Sequence, residues 1–333
     1  MCAEMTGSGI FSTSMKPDVL QGRTAVSLFI PTFRRPHSLR RTLESIAAQE
    51  ISTPGVTLRV YLIDNDAQGS ARPVFDALAA DFPFTLIYLP VPERGISHAR
   101  NRALDTAAAD EGCDCLVFMD DDEVADPQWL QALLDAQRAY RADVVTGPVV
   151  RSFPDSAPAW AAHASIFRRR AFRDGEEVPR ATSGNVLIRS EVIRWSGLRF
   201  DHRLALTGGE DELYFIQLNR LGYSIHWHNA ARLTECVPEA RLTRRWVFRR
   251  ALCYGNALAR MHFILRPRPQ AVMFLLAFAG YQNVRALQQV WRFIRGQRKY
   301  VWVDMLQYLS TQLGVLTGLL GWKLENYRKI QGG

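Results

Sequence analysis

The sequence of 333 residues is short of several things at once, and each shortage removes a class of protein. Its 22 glycines and 16 prolines are too few for collagen or a low-complexity chain, while 47% hydrophobic and 22% charged residues are ordinary globular values. Cysteine is scarce: Cys2, Cys113, Cys115, Cys236 and Cys253 are odd in number, and none forms a C-x-x-C pair. That excludes a disulfide scaffold and removes support for a zinc ribbon or thioredoxin chemistry. Reduced thiols are expected, with Cys113 and Cys115 as small buried residues ahead of an apolar run. Residues 1–23 lack a basic n-region and an uninterrupted apolar h-region, so they read as a loose leader. Membrane-spanning runs are doubtful too. Pro269 to Val284 holds only 16 residues, and the 18 of Met305 to Trp322 include Gln307, Ser310, Thr311, Gln312 and Thr317.

Acidic residues nearly vanish at one end. Only Asp304 and Glu325 oppose sixteen Lys and Arg in residues 241–333, a net +14, whereas residues 1–240 carry −6. A basic tail on an acidic body points to an anionic partner, either a phospholipid surface or nucleic acid. The tail has no motif of a known RNA-binding module, which disfavours nucleic acid. Leu306, Leu309, Leu313, Leu316 and Leu320 recur at helical spacing, with Trp291, Trp302, Trp322 and Tyr327 flanking the apolar stretches. This is the pattern of an interfacial helix on an anionic membrane surface. The same stripe also suits packing on the preceding α/β part of the chain or on a second subunit, as in a homo-oligomer.

What the sequence has in quantity is alternation. Strands are predicted over Val26–Ile30, Leu58–Ile63, Thr85–Leu89, Leu116–Met119 and Asp143–Val150. Helices are predicted between them, one opened by Pro73 and one capped by Asp126 and Pro127. The expected fold is α/β, a doubly wound and largely parallel sheet, in which ligands bind beyond the carboxyl ends of the strands. Acidic residues gather there: Asp64 after the second strand, and Asp120, Asp121, Asp122 and Glu123 after the fourth.

Adjacent carboxylates at a buried strand end repel one another, and a divalent ion of the Mg²⁺ or Mn²⁺ kind is the simplest compensation. An acidic turn capping the next helix is the alternative. Thr207-Gly208-Gly209-Glu210-Asp211-Glu212 leads into a helical pattern, and Asp211 could serve a hydroxyl nucleophile as general base. Glu and Asp in a first helical turn are also ordinary dipole partners. Arg94 and Arg100 flank a helix start suited to phosphate. His226 and His228 share a strand face and read as edge histidines before metal ligands, and Arg168, Arg169 and Arg170 as a solvated charge run.

In order and spacing, Val26 through Pro36, Leu62-Ile63-Asp64-Asn65-Asp66, Gly95 through Asn101, Asp120-Asp121-Asp122 and Glu210-Asp211 resemble the motifs of the family-2 inverting glycosyltransferases. The resemblance covers roughly residues 24 to 250. Thr182-Ser183-Gly184-Asn185, Thr207 through Asp211 and Glu235-Cys236-Val237-Pro238 resemble the succinoglycan-biosynthesis glucosyltransferase branch. It implies a GT-A fold over 24–240, with a nucleotide-sugar half (24–125) and an acceptor half (126–240), followed by a basic helical region over 241–333. It also implies Mn²⁺ or Mg²⁺ held by Asp122 and Asp120. Pro31, Thr32, Arg34, Asp64, Asn65 and Asp121 would line the nucleotide-sugar site with Asp120, and Arg100 would face the diphosphate. Asp211 would be the base, with Glu210 beside it.

The implied reaction moves one sugar from a nucleotide-diphosphate sugar, a UDP-hexose by the family pattern, to a hydroxyl of a glycan or lipid-linked acceptor with inversion. The implied role is exopolysaccharide or cell-surface glycan synthesis at the cytoplasmic face of the membrane. Two departures stand out. Asn65 replaces the carboxylate that pairs with uracil in many relatives, which leaves the base open. Leu242 stands where a Q-x-x-R-W motif would carry Gln before Arg245-Trp246, which favours single transfer over processive synthesis. The rival expectations are a catalytically silent membrane- or nucleic-acid-binding scaffold, and a metal-dependent nucleotidyl or phosphoryl transferase.

Overall fold

The computed structural model describes residues 23–168, 170–296 and 299–325. The expected leader, apart from Arg23, lies outside the described residues, as do Arg169 and Tyr327.

A seven-stranded sheet forms the centre. Its strands are β1 (Thr24–Thr32), β2 (Val56–Asp64), β3 (Thr85–Pro90), β4 (Cys115–Met119), β6 (Val144–Thr146), β8 (Asn185–Arg189) and β9 (Ile225–Trp227), in the order β3-β2-β1-β4-β8-β6-β9. Only β8 runs against its neighbours, β4 and β6. A small second sheet joins β5 (Glu123–Ala125), β7 (Val149–Ser152) and β10 (Leu233–Cys236). Period-two alternation decides which face each side chain covers. On β1, Val26, Leu28 and Ile30 pack under α1 (Pro36–Ala47) and α4 (Trp129–Tyr140), while Phe29 enters the core beneath α3 (Ile96–Ala109) and stacks on Tyr61 at 4.5 Å. Two shorter helices, α2 (Arg72–Leu78) and α5 (Ser190–Ser196), complete the layers before α6 (Glu210–Arg220).

Two element boundaries differ from expectation. The run Asp143–Val150 is two strands in two sheets, because Pro148 has no N–H for a ladder and its carbonyl accepts instead from Leu233 N and Asn185 Nδ2. The helix expected at Asp126-Pro127 begins at Trp129, since the Asp126 carbonyl closes a turn onto Trp129 N at 2.9 Å. The expected burial of Cys113 and Cys115 is observed, and β9 with His226 is an edge strand of the large sheet. His226 and His228 both pack on Tyr140.

The basic region folds as α7 (Arg244–Leu265), α8 (Arg268–Ile294) and α9 (Val301–Leu319). The Thr243 hydroxyl caps α7 by accepting from Trp246 N. Helices α7 and α9 approach so closely that a methyl group on Gly255 would strike the Thr311 carbonyl, and one on Gly314 the Leu252 carbonyl. Leu213 and Ile216 of α6 pack with Leu258 and Met261 of α7, Leu275 of α8 and Val315 of α9 in one cluster. Among the described residues no helix is long and apolar enough to cross a membrane. Trp291 and Trp322 are exposed, but Trp302, expected as a surface anchor, packs inward against Trp160 and under the Arg244 guanidinium.

Candidate active site

The carboxyl ends of β1, β2 and β4 deliver the acidic string to one cleft. At the end of β1 the Thr32 hydroxyl donates to Asp121 Oδ2 at 2.7 Å. The turn that follows presents two arginines. Arg34, at φ 55°, grips Asp66 through Nε and Nη2, and Arg35 Nη1 lies 3.0 Å from Asp121 Oδ1 and 3.1 Å from Asp122 Oδ2. From α1, the Thr42 hydroxyl donates to the carbonyls of Asp121 and Glu123, which fixes the backbone of the string.

The second half of the site arrives from α3 and α6. Gly208 and Gly209 take left-handed backbone angles, φ 89° and 87°, that turn the chain into the first residue of α6. Arg100, buried on α3, donates through Nη1 to Glu210 Oε1 and through Nη2 to Asp120 Oδ1 at 3.2 Å. One guanidinium thus joins the end of β4 to the start of α6. The Asp211 charge lies close enough to add, after burial and Asp122, to the upward push on the Asp120 pKa. From the small sheet, Glu235 meets Arg151 at 3.0 Å and Arg241 at 2.7 Å, and Arg241 Nη2 reaches Asp122 Oδ2 at 2.9 Å. Gly184 closes the wall. A methyl there would stand 2.8 Å from Glu123 Oε1 and 3.1 Å from Asp120 Oδ2.

The model of the family described as Glycosyl transferase family 2 matches residues 27–195, from the middle of β1 to the end of α5. The chain belongs to glycosyl transferase family 2. It is 33% identical to the succinoglycan biosynthesis protein ExoM of Rhizobium meliloti (strain 1021) over 236 residues, which are 71% of this chain and 74% of that one. The mannosyltransferase PcManGT of Pyrobaculum calidifontis, solved with GDP-Man and Mn²⁺, superposes with a TM-score of 0.59 at 17% identity, over 92% of this chain and 90% of that one. S. aureus TarS superposes at 0.50 with 12% identity, over 88% of this chain and 55% of that one. The fold is the GT-A fold of these structures, with C-terminal helices.

In this glycosyltransferase the expected site residues also make contacts within the protein. Asp64 is buried with both oxygens engaged, Oδ1 by Asp66 N and Oδ2 by Ala71 N and the Tyr88 hydroxyl. Asn65 spends its amide on the carbonyls of Val91 and Glu93 and its oxygen on Gly95 N. These hydrogen bonds hold the two side chains in place at the wall of the cleft. Arg100, expected to face a diphosphate, holds Glu210 and Asp120. Pro31 continues β1 in register with Ile63.

Sequence reasoning missed the counter-ions. Arg35 and Asp66 lay inside the quoted motifs, but only the folded turn shows which arginine faces the acids. Arg151 and Arg241 come from outside those motifs. The opposition of Glu235 to Glu123 and Arg151 on neighbouring strands could not be read without register.

The electrostatics favour a cation. Burial raises the carboxyl pKa of Asp120 against the pull of Arg100, and takes Asp121 to about 6 and Glu210 to about 7. Burial and then Asp120 push Glu123 well above the carboxylate range. Asp122 is the exception: burial would raise it, but Arg35 and Arg241 hold it below its ordinary value. The carboxylates of Asp120, Asp121, Asp122, Glu123, Glu210, Asp211 and Glu235 outnumber Arg35, Arg100, Arg151 and Arg241, and Glu210 Oε2 is buried with no hydrogen-bond partner. Hard oxygen donors in surplus suit Mg²⁺ or Mn²⁺. Among the described residues no three His, Cys, Asp or Glu side chains converge as a ready-made cage. An ion here would take one or two carboxylates and keep its remaining positions for phosphate oxygens, as Mg²⁺ does.

Proposed function

We propose that this glycosyltransferase transfers a single sugar from a nucleotide-diphosphate sugar to a hydroxyl of a glycan or lipid-linked acceptor, with inversion. The biological setting we infer is exopolysaccharide or cell-surface glycan synthesis, a reading supported by the 33% identity to ExoM. The observation that carries the proposal is the Arg100 bridge, which brings the acidic string of β4 and the Glu210-Asp211 start of α6 to one place.

In this reading Asp122 and Asp120 hold Mn²⁺ or Mg²⁺, which when bound neutralises charge on the departing nucleoside diphosphate. Thr32 and Arg35 fix Asp121, and Pro31, Arg34, Asp64 and Asn65 give the nucleotide site its shape. Asp211 accepts the proton of the acceptor hydroxyl while the hydroxyl oxygen bonds to the anomeric carbon and the bond from that carbon to the diphosphate oxygen breaks. Direct displacement from the far face inverts that carbon. Glu210, neutral or ionised near pH 7, presents a buried oxygen beside the base. A UDP-hexose is the donor proposed on the family pattern.

Incubation of the purified chain with a panel of nucleotide sugars and Mn²⁺ tests the proposal. Transfer from one hexose donor, with an inverted linkage by NMR, is the expected result. Retention of configuration, or nucleotidyl transfer without glycoside formation, would overturn it.

A further inference from the structure

Helix α9 carries apolar side chains on two sides. Its buried side sets Ser310, Thr311, Gly314, Thr317 and Gly318 beside Val303, Tyr308 and Val315, and Gly314 and Gly318 seat it on the α7 backbone. Leu309, Leu313 and Leu316, with Leu320 just past the helix end, face outward at 62%, 45%, 51% and 63% exposure. On α8, Leu287 and Ile294 are 70% and 76% exposed. Gln312 Nε2 donates to Asn283 Oδ1 at 2.8 Å between the two helices, so their outward faces adjoin. Apolar surface of this extent marks a site of interaction.

The charge around it selects the partner. Arg268, Arg285, Arg292, Arg295 and Lys299 are exposed. The one acid in these two helices, Asp304, is fully buried and accepts from Ser165 N. The surface is therefore apolar and cationic with no exposed acid on either helix. A two-fold contact between copies sets such a patch against itself, arginine facing arginine. Nucleic acid would meet the arginines but leave the leucines against phosphate. An anionic bilayer takes both, the arginines at the headgroups and the leucines in the acyl boundary.

We infer that the outward faces of α8 and α9 form an interfacial platform that lies on an anionic lipid surface without crossing it. Leu213, two residues beyond Asp211, is packed into the cluster that joins α6 to α7, α8 and α9. The platform therefore fixes the height of the proposed base above the lipid. Its use for a lipid-linked acceptor rests on the function proposed above; the docking itself does not.

Flotation of the full chain with phosphatidylglycerol-rich and with purely zwitterionic vesicles, at low and high salt and without any sugar donor, tests the inference. The protein should float with the anionic vesicles at low salt and be released by high salt. A variant with Leu309→Glu, Leu313→Glu and Leu316→Glu should stay in the soluble fraction, and circular dichroism should show its fold kept because these side chains are exposed. A second variant, Arg285→Gln, Arg292→Gln and Arg295→Gln, should bind roughly a hundredfold more weakly. Absence of flotation at low salt, or a glutamate variant that floats like the parent, would overturn the platform. So would light scattering that shows a dimer broken by the glutamate variant without any vesicle binding, because a second copy would then cover the surface. Failure of flotation leaves sugar transfer in the panel experiment untouched, and failure of transfer leaves flotation untouched.

Discussion

Arg241 reaches back 119 positions to set its Nη2 2.9 Å from Oδ2 of Asp122, while its Nη1 holds Glu235 at 2.7 Å. Asp122 is the carboxylate proposed as metal ligand, so its charge is already balanced before any ion or nucleotide arrives. Arginine and cation draw on the same carboxylate, which makes their competition measurable.

Arg241→Ala should cost about 3 kcal/mol of stability, the usual cost of stripping a buried carboxylate of one partner. Mn²⁺ should return part of that loss by replacing the missing charge. Melting temperatures with and without Mn²⁺ check it: the rise on adding the ion should be larger in the variant than in the parent. Equal rises would separate Arg241 from the metal site.

Asp122→Ala should abolish Mn²⁺-dependent binding of the nucleotide, read by calorimetry, together with transfer. Chelator added in excess to the parent should do the same. Full transfer in chelator would remove the ion from the reaction.

Asp211→Asn should keep nucleotide affinity and lower turnover by at least about a hundredfold, the range for a positioned base. Glu210→Gln should hurt less. Lost nucleotide affinity with unchanged single-turnover transfer at saturation would make Asp211 a binding residue.

His262 offers a pH readout away from the cleft. Burial first, and then the neighbouring guanidinium of Arg266, lower its pKa to about 4. A histidine depressed in the folded state contributes stability that is present above its ordinary value of 6.5 and lost as pH falls toward 4. At pH 5 that loss is on the order of 2 kcal/mol. His262→Gln should remove it, so the gap in melting temperature between parent and variant should narrow from pH 7 to pH 5. A constant gap would show that His262 titrates alike in the folded and unfolded states.

The central sheet was legible because Val26–Ile30 and Leu116–Met119 are apolar on both faces, as only doubly covered strands are. The acidic string was legible because strand ends in such sheets face ligands. Register and reversal were not. Nothing in Asn185–Arg189 announces that β8 runs antiparallel between β4 and β6, and Thr146 reads like Val150 although they belong to different sheets. The direction of the α9 leucines was also hidden, because periodicity shows that a stripe exists but not which side of the helix meets a neighbour. That choice was made by Gly314, which lets α9 touch α7 along its small-residue side.

The Arg100–Glu210 pair, 110 residues apart, also constrains the order in which the chain can become stable. A polypeptide emerging from the ribosome can close β3-β2-β1-β4 once Met119 is out, because these four strands are adjacent in space and complete in sequence. At that moment Glu210 is still unmade. A chain stopped before residue 210 therefore lacks the Glu210 oxygen that receives the Arg100 guanidinium in the complete fold. The site is completed only when α6 docks, so an amino-terminal fragment can hold the acidic string of β4 but not the proposed base.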